Sequence, residues 1–399
     1  MPVIYIHKLK LLIILSVFHL VFDLIAMKRI KLGFLVNPIA GMGGRVGLKG
    51  TDGDTYKEAL KLGAQPISPA RARLFLSKIK REGLGSSFNW YAPSGSMGGD
   101  YLDEYSIAYN KVYDAPMETT AEDTKKTVLK FLEHDIDVVV FVGGDGTARD
   151  ICDVINLKVP VLGIPSGVKM YSSVFALNID SAIEVLRAVI NDQVTYDERE
   201  VIDIDEEAYR RNTLDIKLYC YLRVPVYAGY IQSSKGVTIL SDDIKSNLDG
   251  IARYVVNEMI KPDTLYLLGP GTTTMAIAKK LGIEKTLLGV DAVYNGKLVG
   301  KDLNEDGIIR LISKYGRVKV ILSPIGNQGF ILGRGNQQIS PNVLRLISKE
   351  DLIIISTRSK IENLKSLYVD TGDENIDKKF RGYVKVIVDY GIFKVMKVK

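Results

Sequence analysis

The sequence predicts an α/β protein, with a Rossmann-like parallel-sheet domain at residues 27–195 and a β-rich domain at residues 196–360. In the first part, apolar runs alternate with segments of helical periodicity, which is typical of parallel strands joined by crossover helices. After residue 195 the apolar residues follow closely spaced alternating patterns, which favours a sheet of shorter strands. With 399 residues, the chain is also long enough to form two hydrophobic cores.

The most informative stretch is an apolar run at residues 138–142 that ends in Gly-Gly-Asp-Gly-Thr at residues 143–147. Five β-branched or aromatic residues in succession predict a strand buried on both faces, as in a parallel sheet. An amphipathic helix follows at residues 148–155. A strand, a glycine loop and a helix together can present backbone N–H groups and a helix N-terminus to a phosphate. The glycine spacing matches neither a Walker A loop nor the dinucleotide fingerprint Gly-x-Gly-x-x-Gly.

This loop has two interpretations. Thr147 and Asp150 have the spacing of a capping box, and glycines after a strand can simply form the turn. A cap does not require a carboxylate between glycines, however, so we favour a functional role for Asp145. Asp145 is the candidate catalytic residue and also the one candidate metal ligand. The candidate nucleotide-binding and phosphate-binding residues of this loop are Gly143, Gly144, Gly146 and Thr147.

Composition and charge argue against several classes of protein. The net charge of +6 is mild for this length and no basic run occurs, so we expect no nucleic-acid partner, whereas an anionic nucleotide suits the charge. Cys152 and Cys220 lack the spacing of a metal site, which favours a reducing, cytoplasmic location. Three histidines leave little room for a zinc site or a histidine-dependent catalytic triad.

Residues 1–26 need a separate interpretation. Residues 11–26 form an apolar run that His19 and Asp23 interrupt, and this run is short for a transmembrane helix. It also has the character of a signal-peptide core, but no small-residue cleavage site precedes Met27. We therefore expect that translation begins at Met27 and that residues 1–26 are an upstream extension, with a hydrophobic leader or anchor as the alternative. We expect no membrane partner.

Other polar loops follow the remaining predicted strands of the first domain. The strand at residues 30–36 runs into a glycine-rich turn, and the strand at residues 159–164 runs into a loop that carries Lys169. Because α/β sheets bind ligands at the carboxyl ends of their strands, we expect both loops to face a site. An ordinary solvated connection is the alternative for each loop. The candidate phosphate-binding residues here are Asn37, Gly41, Gly43, Gly44 and Lys169, and Asp52 is a candidate substrate-binding residue.

The second domain carries polar loops of its own. A strand at residues 264–268 ends in Gly-Pro-Gly-Thr-Thr-Thr, whose hydroxyls can cap a helix or bind phosphate. Residues 323–340 are rich in amides and glycines, which suits hydrogen bonds to a base or a phosphate. A strand is predicted at residues 287–293, and a hairpin in the tail at residues 361–399. The candidate residues are Gly271, Thr272 and Thr273 for phosphate, and Asp291, Asn327, Arg334 and Asn336 for substrate.

The Gly-Gly-Asp-Gly-Thr loop after a hydrophobic strand resembles the signature shared by NAD kinases, diacylglycerol and sphingosine kinases, and 6-phosphofructokinases. Residues 37–53, 167–170 and 333–340 are similar to the archaeal and AcoX-like branch of the ATP-NAD kinase family. Residues 269–274 resemble the Thr-Pro-Thr-Gly-Ser-Thr loop of NAD kinases, with Gly269 in place of the first threonine. The resemblance covers most of the two predicted domains.

This resemblance implies an NAD kinase-like fold and phosphoryl transfer to the 2′-hydroxyl of NAD. It also implies ATP or polyphosphate as the donor, and Mg²⁺ or another divalent metal as the cofactor. Asp145 would accept the hydroxyl proton or help to hold the metal, and the loops after residues 37 and 269 would hold phosphates. Phosphoryl transfer depends mainly on positioning and charge neutralisation, so glycine loops and one carboxylate can suffice. We expect a cytoplasmic homo-oligomer that binds NAD and ATP.

Two departures from the related kinases leave alternatives open. The Asn-Glu pair that NAD kinases use beside the nicotinamide riboside does not follow the central motif, and residues 303–306 contain these letters only further downstream. Arg149 and Asp150 stand where lipid kinases carry Asn-Glu, which weakens the interpretation as a lipid kinase. The acceptor could be another nucleotide or a polyol. A protein that binds NAD or ATP without turnover, such as a sensor, is the non-enzymatic alternative.

Overall fold

A computed structural model of the protein describes residues 29–42, 61, 64–166, 170–204, 216–232, 242–325 and 328–399. Residues 1–26 lie outside this part of the chain, as do the candidate site residues Gly43, Gly44, Asp52, Lys169 and Asn327. The upstream extension and the roles assigned to these five residues therefore stay predictions.

The first part of the chain forms five strands, a long hairpin and five helices within the described ranges. The strands are β1 (Ile30–Val36), β2 (Phe88–Pro93), β3 (Tyr109–Tyr113), β4 (Val138–Gly143), β5 (Val161–Pro165), β6 (Thr195–Ile204) and β7 (Ile216–Val226). The helices are α1 (Ser68–Arg81), α2 (Gly99–Glu104), α3 (Ala121–Glu133), α4 (Asp145–Ile155) and α5 (Ile179–Ile190).

The N-terminal sheet has five parallel strands in the order β3-β2-β1-β4-β5. β4 pairs with β1 on one side and with β5 on the other, and all six of its residues are buried. The apolar run of β4 therefore contacts protein on both faces, as its sequence pattern predicts. The predicted Rossmann-like parallel sheet is confirmed.

The strand order creates a switch point between β1 and β4. From β1 the chain moves outward through β2 and β3, and it then returns to the other side of β1 to form β4 and β5. The connections after β1 and β4 leave the same edge of the sheet in opposite directions, which opens a crevice between them. The glycine-rich turn after residue 36 and the loop at residues 143–147 flank this crevice, where sheets of this class bind ligands.

The antiparallel hairpin of β6 and β7 packs against the N-terminal core. Val201, Leu222 and Val224 are buried there, and a disulfide joins Cys152 of α4 to Cys220 of β7. The hairpin is thus fixed to the helix that follows the central glycine loop. Because both cysteines are paired, the cysteine content no longer supports the expectation of a reducing compartment.

The second part of the chain forms a larger sheet with helices on its faces. Its strands are β8 (Leu265–Leu268), β9 (Asp291–Tyr294), β10 (Lys297–Gly300), β11 (Val318–Leu322), β12 (Phe330–Leu332), β13 (Leu352–Ile355), β14 (Tyr368–Val369), β15 (Gly382–Asp389) and β16 (Ile392–Val398). Its helices are α6 (Asp242–Tyr254, extended by a π-helical turn at Val255–Met259), α7 (Thr272–Leu281), α8 (Glu305–Tyr315), α9 (Pro341–Arg345), α10 (Arg358–Glu362) and α11 (Glu374–Phe380).

The C-terminal sheet has seven strands in the order β10-β9-β8-β11-β13-β15-β16. β8, β11, β13 and β15 are parallel to one another, whereas β9, β10 and β16 run antiparallel to their neighbours. Leu265 and Leu267 belong to one buried apolar cluster and Tyr266 and Leu268 to another, so the sheet is covered on both faces. The predicted sheet-rich C-terminal domain is confirmed.

The predicted C-terminal hairpin is the antiparallel pair of β15 and β16, which forms one edge of the seven-stranded sheet. β12 and β14 form a separate, short parallel pair. The proposed domain boundaries at residues 195 and 360 stay predictions. Across the described ranges, no helix is both long enough and apolar enough to cross a membrane.

Candidate active site

The loops after β1 and β4 contact each other at the switch point of the N-terminal sheet. The Asn37 backbone N–H donates to the Val142 carbonyl at 2.9 Å, which continues the pairing of the two strands. The Asn37 side chain then donates from Nδ2 to Thr147 Oγ1 at 2.9 Å, while its Oδ1 accepts from the Ile39 N–H. Two predicted phosphate-binding residues, one from each loop, are therefore brought together. Their phosphate-binding role stays a prediction.

The loop after β1 also packs closely against the loop after β5. Gly41 has φ +84°, and a Cβ atom placed on it would lie 2.1 Å from the Ser166 carbonyl oxygen. Ser166 also accepts at its Oγ from Ser68 Oγ at 2.8 Å, and its N–H donates to the Gly143 carbonyl at 3.0 Å. The loops that follow β1, β4 and β5 thus meet around the switch point, and only glycine fits at position 41.

Helix α4 begins at Asp145, with Gly144 as its extended N-cap residue. Thr147 and Asp150 consequently lie inside the helix, so the interpretation of these two residues as a capping box is wrong. The reason is that Thr147 Oγ1 accepts a hydrogen bond from Asn37 Nδ2 in the neighbouring loop. A carboxylate in the first turn is also favoured by the helix dipole, which supports a helix start at Asp145.

The Asp145 carboxylate binds the backbone of the loop that follows β5. One of its oxygens accepts from the Tyr171 N–H at 2.7 Å, and the other accepts from the Ser172 N–H at 3.0 Å. Asp145 is partly exposed, whereas Tyr171 and Ser172 are buried. Burial raises the pKa of the Tyr171 hydroxyl, and the charge of Asp145 adds to this effect. A carboxylate can accept about four hydrogen bonds, so two amide anchors are compatible with a further chemical role.

The hydroxyl-rich loop at residues 269–274 begins helix α7 at the carboxyl end of β8. Gly271 is its N-cap residue, with φ +115°. The Thr274 hydroxyl can donate its one proton to the Gly269 carbonyl at 2.6 Å or to the Gly271 carbonyl at 2.9 Å, so it serves the helix start. Thr272 is exposed, and Thr273 Oγ1 accepts from Ser323 Oγ at 3.3 Å. Phosphate binding by Gly271, Thr272 and Thr273 stays a prediction.

A short segment connects the hydroxyl-rich loop to the loop that Asp145 holds. At one end Ser323 contacts Thr273, and at the other Gln328 Nε2 donates to the Met170 carbonyl at 2.8 Å. Ser323 and Gln328 are five positions apart in the sequence, which limits their Cα separation to about 18 Å. The hydroxyl-rich loop of the second half is therefore linked, through Ser323 and Gln328, to the segment whose backbone binds Asp145.

Both halves of the chain match one family of known proteins. Residues 32–194 match the ATP-NAD kinase N-terminal domain, and residues 262–398 match the ATP-NAD kinase C-terminal domain. The chain belongs to the ATP-NAD kinase family. It is therefore a phosphotransferase of the NAD kinase family, and the predicted two-domain NAD kinase-like fold is confirmed.

Comparisons with individual proteins add little to this membership of the ATP-NAD kinase family. No curated protein matches the chain. Among solved structures, one similar chain is the Methanocaldococcus jannaschii UDP-GlcNAc 2-epimerase in complex with UDP-GlcNAc and UDP. It is 14% identical, and the match covers 86% of this chain and 79% of that chain at a TM-score of 0.23. A TM-score this low supports no conclusion about fold or function.

The kinase buries Arg334 and Asn336, two of its candidate substrate-binding residues. Arg334 is 3% exposed and donates to Asp370 Oδ2, to Gln232 Oε1 and to the Leu177 carbonyl. Burial lowers the pKa of Arg334 to about 10, while the Asp370 carboxylate opposes this shift. Asn336 donates to the Ile331 carbonyl at 2.8 Å. In this structure both side chains bind the protein itself, and their contact with a substrate stays a prediction.

Asp291 is completely buried and organises the loop that precedes β9. Its carboxylate accepts from the N–H and Oγ1 of Thr286 and from the Asp302 N–H, and it lies 3.5 Å from Lys285 Nζ. Because residues 285–290 fold around this carboxylate, the strand predicted from residue 287 begins only at Asp291. The Leu287 carbonyl accepts from the Gly271 N–H, so this loop supports the hydroxyl loop. Direct substrate binding by Asp291 stays a prediction.

The structure brings further residues to the site that the sequence patterns did not indicate. Lys360 Nζ donates to Ser323 Oγ at 3.2 Å and to the Pro324 carbonyl at 2.6 Å, beside the start of α7. Ser166 has a local signal, because it lies two positions after the strand predicted at residues 159–164, at the ligand-binding edge. Gln232 and Lys360 lie in segments without a glycine motif, so no local signal marks them.

A metal site built wholly from protein is absent from the described ranges, where no group of three or more His, Cys, Asp or Glu side chains could hold an ion. Mg²⁺ in kinases needs fewer protein ligands, because one or two carboxylates usually share the ion with substrate phosphates. Asp145 suits this arrangement, since it is a partly exposed carboxylate at the switch point.

Proposed function

We propose that the protein is an NAD kinase, which transfers a phosphoryl group from ATP or polyphosphate to the 2′-hydroxyl of NAD and forms NADP. The proposal rests mainly on the Asp145 carboxylate, which follows the glycines at the switch point and is held by the backbone N–H groups of Tyr171 and Ser172. In a member of a kinase family, a carboxylate at the switch point is suited to contact the acceptor hydroxyl.

Asp145 would accept the proton of the attacking hydroxyl. It lies at the first residue of α4, and the backbone N–H groups of a helix N-terminus can neutralise phosphate charge. Alternatively, Asp145 would help to hold a Mg²⁺ ion, which would neutralise phosphate charge further. The remaining loop residues would position the nucleotides: Asn37, Gly41, Gly143, Gly144, Gly146, Thr147, Gly271, Thr272 and Thr273.

The other roles predicted from the sequence belong to the same proposal. NAD would contact the second half of the chain through Asn336 and Asp291, after local rearrangement of these buried groups, whereas Arg334 would keep its contacts with Asp370 and Gln232. The enzyme would act as a homo-oligomer.

A turnover assay tests the acceptor and the donor together. Purified protein is incubated with NAD, Mg²⁺ and either ATP or polyphosphate, and NADP is measured with an NADP-specific dehydrogenase. The proposal expects NADP from at least one donor and no phosphorylation of a diacylglycerol or sphingoid base in micelles. Phosphorylated lipid without NADP would replace the proposal with a lipid kinase. Calorimetric binding of NAD or ATP without any product would indicate a sensor instead.

A further inference from the structure

A continuous path of hydrogen bonds runs from Asp145 to a charged cluster in the second half of the chain. The Ser172 N–H donates to Asp145 Oδ1 at 3.0 Å, and the Ser172 carbonyl accepts from Gln232 Nε2. Gln232 Oε1 in turn accepts from Arg334 Nη1 at 2.9 Å. The Nε and Nη2 atoms of Arg334 both donate to Asp370 Oδ2 at 3.2 Å. Gln232 binds Ser172 through Nε2 and Arg334 through Oε1, and Arg334 in turn binds Asp370.

All members of the path beyond Asp145 are shielded from water. The exposed fraction is 0% for Ser172, 0% for Gln232, 3% for Arg334 and 5% for Asp370. A buried polar group that loses its hydrogen-bond partner is destabilised, so each hydrogen bond restricts the group at its other end. The order of the Ser172 backbone therefore depends on a glutamine 60 residues away in sequence.

The far end of the path is anchored by a second guanidinium. Arg71 Nη1 lies 2.6 Å from Asp370 Oδ1, so α1 of the first half and Arg334 of the second half share one carboxylate. Burial disfavours the ionised form of Asp370, but the positive charges of Arg71 and Arg334 outweigh this effect and hold the pKa of the Asp370 carboxyl below its ordinary value. Asp370 thus remains a charged acceptor that fixes the orientation of Arg334.

We propose that Gln232, Arg334 and Asp370 are positioning residues for Asp145. They hold the Ser172 carbonyl, and the adjoining Tyr171 and Ser172 N–H groups hold the carboxylate at the switch point. The proposal rests on the proposed function, because it assigns a catalytic task to Asp145. A merely structural role for the path would affect stability alone, whereas a positioning role also affects turnover at unchanged nucleotide affinity.

Gln232→Met tests the proposal, since methionine keeps the length of the side chain and removes both hydrogen-bonding groups. Because Asp145 acts on the reacting hydroxyl, we expect kcat for NADP formation to fall about 10- to 100-fold while KM for NAD changes less than about threefold. Hydrogen exchange at the Tyr171 and Ser172 amides should become about tenfold faster or more. Gln232→Glu keeps the acceptor for Arg334 but repels the Ser172 carbonyl, so it should show the same pattern.

Asp351→Asn is the matched control. Asp351 accepts from the Ser348 N–H, from Ser348 Oγ and from Lys319 Nζ, at the amino end of β13 and away from the loops of the site. It should lower the melting temperature without changing kcat or the exchange of the Tyr171 and Ser172 amides. Should Gln232→Met fail to fold, Gln232→Glu and Asp370→Asn provide the same comparison.

The two readouts separate this proposal from the proposed function. If the wild type forms no NADP, the proposed function is wrong, and hydrogen exchange alone then decides whether Gln232 holds the Ser172 backbone. Unchanged amide exchange in the folded Gln232 variants would overturn the positioning role whatever the activity. Faster exchange with an unchanged kcat would also overturn it, because the path would then order the loop without serving Asp145.

Discussion

The Lys285 side chain illustrates how strongly burial changes the pKa of a single charged group. Its Nζ donates to the Thr286 carbonyl at 2.6 Å and lies 3.5 Å from the Asp291 carboxylate, with both side chains fully buried. Burial lowers the pKa of Lys285 from its ordinary value of 10.5 to about 8, although Asp291 opposes the shift. The buried pair therefore fixes the loop before β9 at the cost of an ammonium group that is removed from water.

This lowered pKa makes stability depend on pH in a defined direction. Between about pH 8 and pH 10.5 the unfolded chain binds more protons at Lys285 than the folded chain. The free energy of unfolding should therefore rise with pH across this window, by up to about 3 kcal/mol from this group. Denaturant unfolding at several pH values measures the rise. The double variant Lys285→Met with Asp291→Asn should lack it, and an equal slope in both proteins would contradict the assignment.

At the level of loops, the site is formed by the close approach of segments that follow different strands. Gly41 lies against the Ser166 carbonyl, and Ser166 in turn binds Ser68 at the start of α1. The turn after β1 can take this path only because residue 41 has no side chain and a positive φ. The distance between the loops after β1 and β5 therefore depends on one glycine.

Gly41→Ala should disrupt this approach, because the new Cβ would lie 2.1 Å from a backbone oxygen. Gly83→Ala is the matched control, since Gly83 also has a positive φ, of +69°, but its Cβ would have open space around it. Left-handed backbone at alanine costs about 1–2 kcal/mol, so Gly83→Ala should lose about that much stability and no activity. Gly41→Ala should lose more stability and also reduce turnover. Equal losses of stability in both variants, with normal turnover, would contradict the close approach.

The β6–β7 hairpin is linked covalently to the helix that carries Asp145. The disulfide closes a loop between cysteines 68 positions apart, so reduction should release conformational entropy in the unfolded chain. We expect a reductant to lower the free energy of unfolding by about 2–4 kcal/mol. Denaturant unfolding with and without reductant measures this loss, and the variant Cys152→Ser with Cys220→Ser should not respond to the reductant. Identical wild-type stability in both conditions would show that the thiols are not paired.

For the molecule as a whole, local sequence patterns predict the elements that depend on residues close together in the sequence. The apolar run of β4 is predicted correctly, because burial on both faces leaves a contiguous signature, whereas the helix predicted from residue 148 begins three residues earlier, at Asp145. The C-terminal hairpin was predicted for the same reason, since its strands alternate over a short distance.

Contacts between distant segments could not be predicted in this way. Arg71 and Asp370 are 299 positions apart, and neither lies in a motif that indicates the other. The polar sequence around Arg334 predicts a substrate-binding residue, whereas in the structure its guanidinium binds Asp370 and Gln232. The glycine-rich and amide-rich sequence around Arg334 would be the same whether its guanidinium bound a substrate or a buried carboxylate. Only the packing of both halves of the chain distinguishes the two.

We propose that Asp145 performs chemistry in phosphoryl transfer to NAD, and a comparison of NADP formation by two variants tests this role. Asp145→Asn keeps the size of the side chain but cannot accept a proton, so kcat should fall about 10²- to 10⁴-fold with nearly normal NAD binding. Asp153→Asn on the same helix breaks only a surface ion pair with Lys125 and should retain full activity. Normal turnover by Asp145→Asn, or loss of its fold, would contradict the catalytic role of Asp145.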